Sequence, residues 1–367
     1  MKKILVSLVS DQTIQNVLLI KELSNIDRHI FISTDKMERD GKSAWIIQAC
    51  EIPSDKFLKI IVIEDSLADI EEKLNAIDFD DDDEFYVNLT GGTKIMSIGV
   101  YNFFRYKRSE IYYIPIGKNI YRKIFPGVKN KDVPIFYRVG VTEYLKSYGI
   151  QILTKKMNAL LKSSEETEKF YNNYIVPSQS DFEILNQLRN HRNDKEIMTN
   201  KIEGLNDYLQ KVGFVHQTPD ILKKDEIQYL TGGWFEEYVY NLIKEKLQLQ
   251  KDSIAINIKI KRKDVENEFD VMFTFNNSIH VIECKTKIYD KSSDKNILND
   301  SLYKLGAMKK DFGLFVKSYI FTLSNRGSEK HNVRDLYYKR GQLLDIKIVD
   351  KTALLQEFDA FINKIVS

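Results

Sequence analysis

The chain has 367 residues, enough for two or three domains that each bury a core of their own. Its 55 Lys and Arg stand against 53 Asp and Glu, a net charge of +2, so there is no global polyanion signal and any nucleic-acid contact must come from local patches. With Cys50 and Cys284 the only cysteines and five scattered histidines, neither a disulfide framework nor a zinc cluster can be built within one chain. The apolar run over 4–9 is of strand length, far short of a membrane helix, and no signal peptide is apparent; a cytoplasmic, reducing location without membrane contact is expected.

From Lys3 onward strand-like and helix-like segments alternate. Strands are expected over 4–8, 30–33, 58–63, 84–89 and 111–114, and helices from about Thr13 and near 43–50, 67–77 and 94–106. Such alternation predicts an α/β domain with a doubly wound parallel sheet, whose ligands bind beyond the carboxyl ends of the strands. Polar groups gather at those ends. Ser10, Gln12 and Thr13 follow the first strand, and Thr34, Lys36 and Met37 follow the second. After the fourth comes Asn88-Leu89-Thr90-Gly91-Gly92-Thr93-Lys94-Ile95-Met96, where two glycines permit a tight turn and the helix start, the threonines and Lys94 favour an anion. The spacing fits neither a Walker A loop nor a dinucleotide fingerprint. A plain strand-to-helix turn capped by a threonine is the other reading of these glycines.

Those strand ends, with Tyr113-Ile114-Pro115-Ile116-Gly117-Lys118-Asn119, resemble a CRISPR-associated Rossmann-fold (CARF) sensor domain over residues 1–145. The resemblance implies a homodimer that binds a cyclic oligoadenylate across its two-fold axis, the cyclic tetra-adenylate foremost. It offers Ser10, Gln12, Thr13, Thr34, Lys36, Met37, Thr90, Gly91, Gly92, Thr93, Lys94 and Met96 as ligand contacts. A two-fold-symmetric ring suits an isologous dimer. The acidic stretch 78–84 (DFDDDDE) lacks EF-hand spacing and reads as a solvated loop. Residues 146–230 read as mainly helical and polar. The segments 182–188, 196–199 and 205–212 are compatible with a small winged-helix-like insertion, but a connector is the favoured reading.

In the last third a helix opening at Gly232-Gly233-Trp234 carries an apolar stripe of Trp234, Phe235, Tyr238, Val239, Leu242 and Ile243. At 100° per residue Glu236 flanks this stripe and faces a cleft, while Glu237 is expected in solvent. Strands follow over 254–262, 268–275 and 279–285, then a helix near 296–310 and a strand over 314–323. In the second strand Phe269, Val271, Phe273 and Phe275 alternate with Asp270, Met272 and Thr274, so Asp270 is expected opposite the phenylalanines. In the third, Ile279, Val281, Glu283 and Lys285 share a face. Asn276-Asn277-Ser278 joins the two strands as a hairpin loop, bringing Asp270 towards Glu283 and Lys285.

Two carboxylates and a lysine suit phosphodiester hydrolysis, since hard oxygen ligands hold Mg²⁺ or Mn²⁺ and a lysine offsets charge on the phosphorane. The order of elements resembles the restriction-endonuclease-like PD-(D/E)xK nucleases over residues 231–367, with Phe269 in place of the family's proline. That resemblance implies metal binding by Asp270, Glu283 and the Cys284 carbonyl, a water positioned by Lys285, and Glu236 completing the site. Lys285, Lys287, Lys291 and Lys295 form a local basic run. The two resemblances together imply a type III CRISPR ancillary effector: a nuclease activated by cyclic oligoadenylate that cleaves single-stranded DNA and RNA, with duplex or supercoiled DNA as further substrates. The alternatives are a constitutive duplex-DNA nickase or repair nuclease, and a ligand-controlled DNA-binding regulator without catalysis.

Overall fold

The computed structural model describes residues 1–127, 131–174, 179–290 and 295–366. A first sheet contains β1 (Lys3–Leu8), β2 (Arg28–Ser33), β3 (Phe57–Ile61), β4 (Glu84–Asn88), β5 (Ser109–Tyr113), β6 (Ile120–Phe125) and β7 (Lys131–Pro134), in the order β3-β2-β1-β4-β5-β6-β7. The first five strands are parallel, as expected. The sequence reading omitted β6 and β7, an antiparallel addition to one edge. Helices α1 (Ile14–Glu22), α2 (Asp35–Arg39), α3 (Lys42–Cys50), α4 (Leu67–Asn75) and α5 (Lys94–Phe104) connect the parallel strands. Because both faces are covered, β1 is an almost continuous apolar run: Leu5 packs on one face, and Ile4, Val6 and Leu8 on the other. The strand order reverses between β1 and β4, and their carboxyl ends carry Ser10 and the Thr90-to-Lys94 turn.

The middle of the chain contains α6 (Val141–Ser147), β8 (Gln151–Ile152), α7 (Ser164–Tyr174), α8 (Gln179–Asn190), β9 (Glu196–Met198), α9 (Leu205–Lys211), β10 (Ile221–Lys223) and α10 (Lys224–Gln228). It is mainly helical, but the 196–199 segment is chiefly a strand, paired antiparallel with β10. Then follow α11 (Trp234–Lys246), β11 (Ile254–Arg262), β12 (Val265–Phe275), β13 (Ser278–Lys285), the short pair β14 (Tyr289–Asp290) and β15 (Lys295–Asn296), and α12 (Ile297–Met308). The chain ends with β16 (Lys317–Thr322), α13 (Asp335–Leu343), β17 (Ile346–Val349), α14 (Lys351–Gln356) and α15 (Phe358–Val366).

The second sheet has the order β17-β16-β13-β12-β11-β8. Its β11-β12-β13 portion is antiparallel, whereas β13, β16 and β17 are parallel. Helix α12 covers one face through Leu298, Leu302 and Leu305; α11 and α15 cover the other through Trp234, Val239, Phe361 and Ile365. Phe275 pairs with Ser278, so the turn between β12 and β13 is two residues rather than three, with φ of +48° at Asn276 and +60° at Asn277. Two left-handed central residues are what a tight twisted hairpin needs, and asparagine tolerates them. One apolar cluster runs from Leu5 and Val9 through Tyr144 and Tyr148 near α6 to Ala255, Phe269 and Ile320, so the two sheets share a continuous core. Among the described residues no helix is long and apolar enough to cross a membrane.

Candidate active site

Opposite Asp270, the ladder between β11 and β12 is interrupted at Asn257, whose φ is +51°. Both strands change faces there. Ile256 and Val271 pack into the core under α11, while Ile258 and Phe269 pack into the core under α12. Phe269 is therefore parted from Val271 and Phe273, which corrects the simple alternation read from the sequence. The β12–β13 ladder also stops at the Val271–Ile282 pair. Beyond it, the Asp270 carboxylate receives the Cys284 N–H at 2.6 Å and Lys285 Nζ at 2.9 Å. An aspartate side chain thus occupies the place of a strand carbonyl at the mouth of the hairpin.

Glu283 is 2 % exposed and has both carboxylate oxygens bound to cations. Lys285 Nζ lies 2.9 Å from Oε2, and Lys304 Nζ lies 2.6 Å from Oε1. Lys304 projects from α12, also donates to the Glu268 carbonyl at 2.5 Å, and sits 5.0 Å from the Phe269 ring centroid. The sequence reading missed it. Burial alone would lower the Lys285 pKa, but Asp270 and Glu283 outweigh it and hold the ammonium above the ordinary lysine value.

Glu236, Asp270, Glu283 and Lys285 line one cleft of about 950 Å³, and Arg189 and Arg192 from α8 and the turn after it also line this cleft. Glu236 is half-buried on this wall; burial first, then the Asp270 charge, pushes its carboxyl up to about 8. Glu237 is not solvated as expected. It is 5 % exposed and accepts the backbone N–H groups of Leu161 at 2.6 Å and Lys162 at 3.2 Å, which fixes the connector against α11. Of the basic run, Lys285 and Lys287 line the cleft, whereas Lys291 lies outside the described residues, as does the Lys295 side chain.

The donors available to a divalent cation are hard oxygens. The Cys284 thiol is buried among apolar groups of the α11-side core, and that burial raises its pKa. In an extended strand a residue's N–H and C=O leave on the same side, so the Cys284 carbonyl faces Asp270 with its N–H. Among the described residues no three His, Cys, Asp or Glu side chains meet closely enough to hold a metal by themselves. Asp270, Glu283 and the Cys284 carbonyl fit Mg²⁺ or Mn²⁺, which accept a small protein ligand set completed by water and substrate oxygens.

At the edge of the first sheet, the twelve residues singled out from the sequence divide by exposure. Lys36, Gly92 and Lys94 are exposed, and Ser10, Gln12, Thr90 and Thr93 are half-buried. Gly91 is buried so close to the Leu8 carbonyl that a Cβ there would run into it, and Gly92 takes a φ of +73°. Thr93 caps α5 through the Met96 N–H at 3.1 Å and donates to the Glu64 carbonyl at 2.6 Å. Thr34 caps α2 through the Met37 N–H at 3.3 Å. Thr13 is fully buried and donates to the Ser147 carbonyl, while Met37 and Met96 belong to the core. Gln12 faces the second sheet's loops: its Oε1 receives the Leu314 N–H at 3.0 Å and the Tyr148 hydroxyl at 3.2 Å.

Residues 4–144 match the family model of the Card1 CARF domain, and residues 223–354 match that of the Card1-like endonuclease domain. Among solved structures, Can2 from Sulfobacillus thermosulfidooxidans in complex with cyclic tetra-adenylate is similar over 98 % of this chain and 99 % of its own, with 24 % identity and a TM-score of 0.73. Protein VC1899 from Vibrio cholerae is similar over 98 % of both chains, with 19 % identity and a TM-score of 0.72. A type III CRISPR defence DNA nuclease activated by cyclic oligoadenylate matches 94 % of this chain and 52 % of its own, with 14 % identity and a TM-score of 0.56. At these identities the likeness is one of fold. No curated protein matches the chain.

Proposed function

Because the chain joins a Card1 CARF domain at residues 4–144 to a Card1-like endonuclease domain at residues 223–354, we propose that it is a nuclease switched on by a cyclic oligoadenylate, the tetra-adenylate foremost. Its substrates are single-stranded DNA and RNA, its metal is Mn²⁺ or Mg²⁺, and its setting is type III CRISPR antiviral defence. The sensor spans 1–145, a connector 146–230 and the nuclease 231–367.

One observation carries the catalytic half: a single lysine ammonium, that of Lys285, lies 2.9 Å from both Asp270 and Glu283 on the wall of a cleft that Glu236 also lines. Asp270, Glu283 and the Cys284 carbonyl would hold the metal, which when bound polarises the phosphate and lowers the pKa of water. Lys285 orients the attacking water as a charged donor and offsets charge growing on the phosphate oxygens. Arg189 and Arg192 supply cations for backbone phosphates, a contact blind to sequence.

The sensor half is supported by the open edge where β1 and β4 end. Exposed Lys94 opens α5 directly after the Gly91-Gly92 turn, and exposed Lys36 lies in α2 after β2, two cations beyond strand ends of the same sheet, a setting that suits phosphates. A two-fold ring ligand is satisfied by two copies of this edge in a homodimer. The test of the catalytic half is cleavage of labelled single-stranded DNA and RNA in Mn²⁺, with activator present, by wild type and Glu283→Gln. Cleavage by wild type alone is expected; equal cleavage by both would remove the site from the account.

A further inference from the structure

The turn of the hairpin that carries Asp270 and Glu283 does not end in solvent. Asn277 is 8 % exposed and is bonded on every side. Its Oδ1 accepts the Val139 N–H at 2.9 Å, and its Nδ2 donates to the Tyr137 carbonyl at 2.9 Å and to Asn119 Oδ1 at 2.5 Å. A backbone N–H can only donate and a carbonyl only accept, so the orientation of this amide is fixed by its partners. Three residues back along β12, Thr274 Oγ1 donates to the Val139 carbonyl at 2.6 Å.

Asn119 immediately precedes β6 of the first sheet. It closes the 115–119 loop between β5 and β6, donates to the Ile135 carbonyl at 2.9 Å, and accepts the Ile135 N–H through its own carbonyl at 3.0 Å. The start of the same loop is held by Thr90, whose Oγ1 accepts the Ile114 N–H at 2.8 Å. A continuous series of hydrogen bonds and one short loop therefore runs from Thr90 at the strand-end edge, through Ile114 and Asn119, to Asn277.

Beyond Asn277 the connection is stiff. Five cross-strand pairs, from Phe275–Ser278 to Val271–Ile282, tie β12 to β13, and the ladder stops one step before Asp270 and Glu283. At ~3.3 Å per residue the carboxylates lie ~20 Å from the turn. Glu236 and Lys304, which complete the site, are carried instead by α11 and α12. The hairpin is also seated in the second sheet, β12 on β11 and β13 on β16, so a shift at its turn moves Asp270 and Glu283 together, with those strands, against Glu236 and Lys304 on the helices.

We propose that Asn277 is a positioning residue that couples the sensor edge to the catalytic carboxylates, with the Asn119–Asn277 bond as the link between the 115–119 loop and the hairpin. The inference rests on the reading of the chain as an oligoadenylate-activated nuclease, and it names the point through which the activator acts. An activator that shifts the loop shifts the site, because the amide bonds both and the hairpin between is rigid.

The test uses the full-length protein, labelled single-stranded DNA, Mn²⁺ and cyclic tetra-adenylate. Asn277→Gly removes the amide and keeps the left-handed turn; stimulation by the activator falls by about tenfold or more while activator affinity stays within about twofold of wild type. Asn119→Ala gives the same result, and the double variant is no worse than either single one, because both changes break one link. Asn277→Asp, which keeps the Val139 bond and loses the two donated ones, behaves alike and serves if the glycine variant does not fold. Stimulation equal to wild type in Asn277→Gly or Asn277→Asp overturns the coupling, as does a loss of activator affinity that accounts for the whole effect. A wild type that does not respond to the activator overturns the functional reading beneath it.

Discussion

Lys304 and Glu283 meet across the site from different elements, Nζ to Oε1 at 2.6 Å, so that the buried carboxylate is held by a helix as well as by its own strand. Lys285 takes the other oxygen. Removing Lys304 leaves a carboxylate with 3 % side-chain exposure short of one cation. A fully buried pair broken from one side costs about 3–5 kcal/mol. A third of the Lys304 side chain is exposed, so Lys304→Met is expected to cost about 2 kcal/mol in denaturant titration. Single-turnover cleavage falls by about tenfold or more, and Lys304→Arg retains most of both.

Asp270 has two tasks that one substitution separates. Asp270→Asn keeps an acceptor for the Cys284 N–H but removes the charge that faces Lys285. The expected outcome is a cooperative unfolding transition near that of wild type with cleavage lower by about a thousandfold. Glu283→Gln behaves similarly. The double variant is no slower than the worse single one, because groups that act as a unit are not additive.

Most of the framework of this site was legible in the chain. The alternation of the first half, the three strands from Ile254 to Lys285 and the helix that follows appear where their periodicity predicts them, because each pattern is local. What escaped was tertiary. Glu237 is buried because the N–H groups of Leu161 and Lys162, over seventy residues away, complete its carboxylate. Lys304 carries no signal in the sequence pattern; its contact with Glu283 comes from the packing of α12 on β13. Phe269 left the face of Val271 because both strands change faces beside Asn257, which strand periodicity cannot foresee. The added edge strands β6 and β7 carry no strong alternation, and every described β6 residue is only half-buried.

Glu236 gives a prediction in pH. Its folded pKa is about 8 against an ordinary 4.5, with burial the chief cause and the Asp270 charge the next. A raised folded pKa means that the stabilising contribution is complete below the ordinary value and is lost as pH rises through about 8. With a chelator present, wild type therefore loses stability between about pH 5 and pH 8.5 relative to Glu236→Gln, by on the order of 3 kcal/mol. Parallel pH–stability curves for the two proteins would show that this carboxyl is not desolvated.

The strand-end residues should separate by assay. Lys36→Ala and Lys94→Ala alter exposed cations and are expected to weaken cyclic tetra-adenylate binding by about tenfold each, with little change in thermal unfolding. Thr13→Val and Met96→Ala alter buried groups and are expected to lower stability, by about 1–3 kcal/mol, before any effect on affinity. Calorimetric titration and thermal unfolding on the same preparations separate the two classes.

A nuclease that senses a cyclic oligoadenylate at one sheet and cuts nucleic acid at the other is silent until the ligand binds. The most direct measurement is cleavage of single-stranded DNA in Mn²⁺ with and without cyclic tetra-adenylate, by wild type and by Lys36→Ala/Lys94→Ala. Cleavage by wild type is expected only when activator is present, and the double variant needs at least about tenfold more activator for the same rate. Equal cleavage with and without activator would contradict it.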